Sequence, residues 1–251
     1  MNTTTETHLV AAFVLMLTPL ISVADETEWL VAPYVWLSDI TLDQSSGLSG
    51  SISASDLLDK TDAVGMIRVE AARNRWGLTL DYIFLDVSAN RVFTVPLPPP
   101  PTNISVIVEL DTTILELGGF YRPSGNDSGV NYLFGIRNIN TDQTLLVTPV
   151  GGGPTQRFDS DTSFTDVYLG ARYLNRFSDR WDFTVRGDYS FGDTEGTFNL
   201  LASIGYRFNS TFALNLGYRH LKIEFEDDDS GVTVTTEIEM TGPLLGFVFR
   251  F

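Results

Sequence analysis

Leu245-Gly246-Phe247-Val248-Phe249-Arg250-Phe251 puts an apolar residue at every second position, with glycine, valine and arginine between them. A period of two is that of a β-strand, whose successive side chains point to opposite faces. One face of this strand is aromatic and the other is small or charged, so the two faces meet different surroundings. Working back from this end, the same alternation recurs in Trp29 to Asp43, Ala63 to Arg73, Trp76 to Phe93, Ile104 to Tyr121 and Val130 to Asp142. It returns in Phe164 to Arg176, Trp181 to Phe191, Thr197 to Phe208, Phe212 to Phe225 and Val232 to Phe251.

These segments predict an all-β chain with ten strands, eight being the alternative. Their connections alternate in length. Arg73-Asn74-Arg75, Pro123 to Gly129, Phe177 to Arg180 and Phe208 to Thr211 are short and turn-like. Gln44 to Asp62, Thr94 to Asn103, Gln143 to Ser163 and Glu226 to Gly231 are expected to be longer loops, and only Gly192 to Gly196 departs from the rhythm. Short turns at one end and long loops at the other predict a transmembrane up-and-down antiparallel β-barrel. A helical turn is expected over Ser53 to Lys60, capped by Ser53 or Ser55.

Composition narrows the function classes. The 251 residues contain 32 acids, 16 bases and no cysteine, which excludes disulfides, thiolate metal sites and cysteine nucleophiles and makes nucleic acid an implausible partner. Only Lys60 and Lys222 are lysines, and the other fourteen bases are arginines. Arginine suits fixed bidentate pairing in crowded polar interiors. Leu9 to Val23 is an apolar run that closes Ser22-Val23-Ala24 before Asp25, as a cleaved export signal over residues 1–24 would. Residues 25–251 would then be a single barrel domain. The run is short for a spanning helix, so a membrane would have to be crossed by strands.

Alternation by itself does not say which face is outside, because a soluble lipocalin-like barrel alternates with its apolar side inward. Leu78, Leu80, Tyr82 and Phe84 share one face with Val130, Tyr132, Phe134 and Ile136, and so do Leu169, Tyr173, Tyr189, Leu200, Leu216 and Tyr218. Aromatics near the ends of that set suit membrane interfaces. The opposite face repeats Gly-x-Arg at Gly135/Arg137, Gly170/Arg172, Gly205/Arg207 and Gly217/Arg219, where glycine leaves room for a long side chain to fold into a confined space. Arg68, Arg186 and Arg250 share this face with Glu70, Asp81, Glu116, Asp166 and Asp188. The expectation is that this set forms a salt-bridged network in the lumen and that the aromatic face meets lipid.

With these strands placed, the chain resembles a group of Gram-negative outer-membrane β-barrel proteins, broadly akin to the OmpA-like transmembrane barrel. The resemblance is carried by Pro33-Tyr34-Val35-Trp36-Leu37, Ser55-Asp56-Leu57-Leu58-Asp59, Arg75-Trp76-Gly77-Leu78 into Asp81, and Met240-Thr241-Gly242-Pro243-Leu244 through Phe251. It implies residence in the bacterial outer membrane, contact with its lipid and lipopolysaccharide, and recognition of Leu245, Phe247, Phe249 and Phe251 by barrel assembly machinery. It transfers no catalytic residue and no cofactor.

Several functions follow from the lumen and the loops. A structural envelope component or a narrow passive conduit is favoured, a loop-mediated binding module or adhesin is the alternative, and a soluble carrier is a third class. Glu226, Asp228, Ser230, Gly231 and Glu237 fall near calcium-loop spacing, although a solvated hairpin tip accounts for them better; divalent cations at the acidic loops remain a candidate partner. An enzyme is not expected, because His220 is the one histidine after the export segment and shares its face with Leu216 and Tyr218.

Overall fold

Trp76, Leu78, Tyr132, Phe134, Leu169 and Leu216 stand exposed on the outside of a closed ring of strands, the first sign of which solvent this protein meets. The computed structural model describes residues 27–45, 49–55, 61–95, 102–125, 128–229 and 232–251. The strands are β1 (Glu28–Trp36), β2 (Asp39–Gln44), β3 (Ser49–Ile52), β4 (Thr61–Arg73), β5 (Trp76–Val95), β6 (Thr102–Tyr121) and β7 (Gly129–Pro149). They continue as β8 (Gln156–Arg176), β9 (Trp181–Gly192), β10 (Gly196–Arg207), β11 (Phe212–Asp229) and β12 (Val232–Arg250).

Each strand from β4 to β12 pairs antiparallel with the next, and β1 pairs with both β4 and β12, which closes the ring. β2 prolongs the line of β1 along β12, and β3 folds back on β2. Counting β1 and β2 as one stave gives ten, the expected number. Closure satisfies every edge that hydrocarbon would otherwise leave without a partner.

Two expectations about boundaries are corrected. The first stave is not continuous from Trp29 to Asp43, because it is interrupted at Leu37 and Ser38. There the Leu37 amide donates to the Pro243 carbonyl at 2.9 Å, and a Cβ on Gly242 would collide with the Leu37 carbonyl. Proline has no N–H to continue the ladder, and only glycine leaves room for the crossing chain.

The second correction concerns the long loops. β5 and β6 stay in register as far as Val95 and Thr102, β7 and β8 as far as Val147 and Gln156, and β11 and β12 as far as Asp229 and Val232. Most of Gln143 to Ser163 and of Glu226 to Gly231 is therefore ladder. Threonine and valine are plentiful in these stretches, and each added antiparallel pair satisfies two backbones while water accepts their polar side chains. The turn at Asn74, with φ of 55°, is short as expected. The helical turn expected at Ser53 to Lys60 is described at Ser53, which is not helical, and at Ala54 and Ser55, which are; its remainder lies outside the described residues, as does the export segment.

Candidate functional site

The lower bore is crossed by side chains from neighbouring and non-neighbouring strands alike. Glu116 on β6 accepts from Arg137 Nε at 3.0 Å and Nη2 at 2.8 Å, from Arg186 Nη2 on β9 at 2.8 Å and from Arg219 Nη2 on β11 at 3.3 Å. Asp188 takes Arg137 at 2.5 Å, Arg186 Nε at 2.7 Å and the Asn199 amide at 2.7 Å. Asn199 in turn accepts from Arg219 Nε at 2.9 Å, and Arg137 Nη1 donates to Ser190 at 3.2 Å. Arg137 and Glu116 are 0% and 2% exposed, so these charges meet one another and not water.

A second cluster joins β1, β4, β5 and β8. Glu70 holds Arg172 through both oxygens at 2.5 and 3.1 Å and Arg68 at 2.8 Å, while Arg68 also lies 3.6 Å from Asp81. The Tyr34 hydroxyl reaches across to Asp81 at 2.8 Å. The buried Arg137, Arg172, Arg186 and Arg219 and the part-buried Arg68 meet Glu70, Asp81, Glu116 and Asp188 in these two clusters. Buried ions are tolerated when each is paired and multiply hydrogen-bonded, and both clusters meet that condition.

Of the four glycines expected to make room, Gly135 lies under an aromatic ring, as does Gly118, whereas Gly170 and Gly205 lie against Asp188 and Asp182 and Gly217 against Ala202 and Ser203. A Cβ on Gly118 or Gly135 would run into Tyr168, whose ring lies over both. Arg137 and Arg186 then stand 5.5 and 5.7 Å from the centre of that ring, and Arg172 stands 5.0 Å from Phe120. Tyr168 was not singled out from the sequence, although it shares the parity of Asp166 and Arg172. Tyr34, Ser190 and Asn199 were missed in the same way. Neutral polar residues on the inner face were the available signal.

Two of the expected lumen residues, Arg207 and Arg250, lie apart from this lattice, and a third, Asp166, joins it through Ser190, whose hydroxyl also accepts from Arg137. Asp166 is held by the hydroxyls of Ser190 at 2.9 Å and Thr194 at 2.6 Å and by the Thr194 amide. Arg207 pairs with Asp182 at 2.9 Å near the short-turn rim. Arg250 lines a cavity of about 820 Å3 below the lattice, along with Arg122, Arg172, Arg176, Arg180 and Arg207. Arg207 and Arg250 are separated from Glu116 and Asp188 by their height along the barrel, whereas Asp166 stands opposite Arg137 in the β7–β8 register.

Directly above the charged lattice the bore turns apolar. Trp36, Met66, Ile83, Ile114, Ile139, Leu221, Ile223, Met240 and Leu244 form one buried cluster, with Leu221 fully buried and Ile114 at 1% exposure. Arg219 lies 4.9 Å from the centre of the Trp36 ring, which ties the two layers together. The outer face changes in the opposite sense at this height. Above Tyr82, Leu117, Ile136 and Val167, the outward positions become Asp86, Asp111, Asn138, Asn140 and Thr165. The expected arrangement, greasy outside and charged inside, therefore holds for the lower barrel and reverses above it.

The lower outer face carries Leu78, Tyr132, Leu169, Tyr189, Leu200 and Tyr218, all exposed, over some nine residues of strand height between Trp76 and Phe84. At about 3.3 Å per residue and a tilt of about 40°, that is roughly the 25 Å apolar band of outer-membrane barrels. The barrel is built for the outer membrane. A soluble carrier would have the opposite faces. Leu245, Phe247 and Phe251 belong to this outer belt, and Phe212 stacks 6.1 Å from Phe247.

No known family matches the chain, and no curated protein matches it. Among solved structures it is similar to the toluene transporter TodX of Pseudomonas putida at 11% identity, covering 91% of each chain with a TM-score of 0.34. It is similar to Ail, the attachment invasion locus protein of Yersinia pestis, at 10% identity, covering 91% of this chain and 100% of that one with a TM-score of 0.34. Neisserial surface protein A matches at 15% identity over 90% of this chain and 100% of its own, with a TM-score of 0.29. The assignment of the outer face to lipid rests on this chain's own side chains.

His220 lies on the outer face, with Nδ1 2.8 Å from the Thr241 hydroxyl and 3.4 Å from Glu239. It is remote from the bore. Of the calcium-like spacing, Ser230 and Gly231 lie outside the described residues. Glu226 and Glu237 stand on the β11–β12 ladder rather than on a loop.

Proposed function

We propose that this protein is a closed, non-conducting outer-membrane barrel, a structural envelope component whose bore is sealed, rather than a passive conduit. The observation that carries this reading is Glu116, which receives guanidinium groups from β7, β9 and β11 at once and so bridges the bore. A barrel of ten strands lies near the size at which side chains fill the interior, well short of the sixteen or more that leave an aqueous channel. At the level of Glu116 and Asp188 positive and negative groups are interleaved, so the lattice presents no ring of one sign to ions. The apolar layer above would have to be hydrated as well before anything polar could pass.

The terminal strand supports an assembly role for Leu245, Phe247, Phe249 and Phe251, since β12 makes the closing pairing with β1. Lipid and lipopolysaccharide are the partners that suit the apolar belt and the polar collar above it. No residue is assigned a catalytic role, and His220 is read as an interfacial side chain.

The test is planar-bilayer recording of the purified full chain. The expected result is an absence of discrete conductance steps under applied voltage. Steady large single-channel steps from protein with the heat-modifiable gel mobility of a folded barrel would overturn closure.

A further inference from the structure

The barrel wall has a step in it. β9 and β10 have 12 residues each, whereas β8 and β11 have 21 and 18. β8 pairs with β9 only from Asp166 to Arg176, and β11 pairs with β10 only as far as Glu224. Above that level, Gln156 to Phe164 of β8 pair with β7 alone, and Phe225 to Asp229 of β11 pair with β12 alone, among the described residues. The turn between β9 and β10 forms the sill, where the Asp193 amide donates to the Thr165 carbonyl at 3.3 Å and the Glu195 amide to the Glu224 carbonyl at 2.9 Å. At the foot of the opening the rings of Phe164 and Phe225 lie 4.8 Å apart. Two strands have stopped, and two free edges flank the gap.

The rim is acidic. Asp159 and Asp161 lie on the outer side of β8, Asp193 and Glu195 lie at the sill, and Glu224 and Glu226 lie on the outer side of β11. The nearby bases are engaged, Arg157 with Asp159 at 2.9 Å and Lys222 with Glu237 at 2.6 Å. A free edge offers unpaired N–H and C=O groups to an added strand, and side-chain charge selects which strand can approach. Like charges across a pairing repel, so this rim disfavours a second copy of the same edge and favours a cationic one.

We propose that this notch docks an extended, Lys- or Arg-rich segment of another protein, which adds to the β8 edge as a further strand and rests on the Phe164–Phe225 pair. The nine residues from 156 to 164 offer an edge of about 30 Å. The site lies in the polar collar above the membrane band, so it does not depend on whether the bore is closed.

The experiment uses the full chain in lipid nanodiscs and a labelled nine-residue peptide that alternates lysine with threonine, with binding read by fluorescence anisotropy. Binding is expected, weakening about tenfold or more between low and physiological salt. It should be lost when alternate peptide nitrogens are methylated, because a methylated nitrogen cannot join a ladder. The double variant Asp159→Asn with Asp161→Asn should bind about tenfold more weakly while keeping its heat-modifiable mobility. Equal binding of the methylated peptide, or of one with glutamate in place of lysine, would overturn the proposal. So would calcium binding at the rim without any peptide binding, which would make the acids a cation site instead.

Discussion

The lower and upper bore are enclosed by the same staves and filled by opposite chemistry. Around Glu116 and Asp188 the barrel is a lattice of ions inside an apolar sleeve, and around Ile114 and Leu221 it is an aliphatic core inside a polar sleeve. The difference teaches that each face of a strand takes its polarity from what lies across from it. Where lipid covers the outside, apolar residues go out and the polar ones must neutralise one another within. Where water covers the outside, the ordinary rule of soluble proteins returns and the apolar residues go in. The upper barrel is thus folded like a small soluble β-domain set on a membrane one.

If that contrast is right, the two layers should fail differently. Glu116→Ala removes the anion that three arginines share, leaving Asp188 to meet Arg137 and Arg186 and only the Asn199 carbonyl to meet Arg219. A loss of about 3–5 kcal/mol is expected, read from urea unfolding of the detergent-solubilised barrel by heat-modifiable mobility. A loss below about 1 kcal/mol would mean that the charges are hydrated and that the lattice is not a seal.

Leu221→Ala, in the upper layer, should cost about 2–4 kcal/mol by leaving a cavity, with no dependence on salt. Combined with Glu116→Ala it should be close to additive, because the layers touch mainly through Arg219 and Trp36. Strong coupling between the two substitutions would show that the bore is one cooperative plug and not two layers.

The smallest effect belongs to the β7–β8 hairpin, which rises beyond both layers and is largely exposed. Hydrogen bonds from Arg157 and Thr144 hold the Asp159 carboxyl below its ordinary value. A lowered folded value means that the pairing is complete above the ordinary carboxylate range and is lost as pH falls through the folded value. Carboxyl NMR titration should place the Asp159 midpoint low and show it rising in Arg157→Gln. An unchanged midpoint in that variant would detach the hairpin's electrostatics from the pair.

Much of this was readable before any coordinates. The count of staves and the inward parity of Arg137, Arg172, Arg186 and Arg219 follow from a period of two, which is a local property of the chain. Tyr168, Tyr34 and Asn199 escaped notice because a tyrosine or asparagine on an inner face looks unremarkable until its partner across the bore is known. The loops at Gln143 to Ser163 and Glu226 to Gly231 were misjudged for a related reason. An acid run such as Glu226 to Asp229 suggests a turn, yet β12 in register carries the ladder through it, and around Gly151 to Gly153 the turn shrinks to the tip between Pro149 and Gln156.

The amino-acid order determined that strands form, where they reverse and which residues share a face, since these depend on neighbours one or two positions away. Only the closed barrel decided which charge meets which and how high along the bore. It also decided that the polarity of the two faces exchanges above the membrane band. Those outcomes depend on stagger between strands far apart in the chain, which brings Glu70 to Arg172 and Glu116 to Arg219. No local pattern encodes that distance.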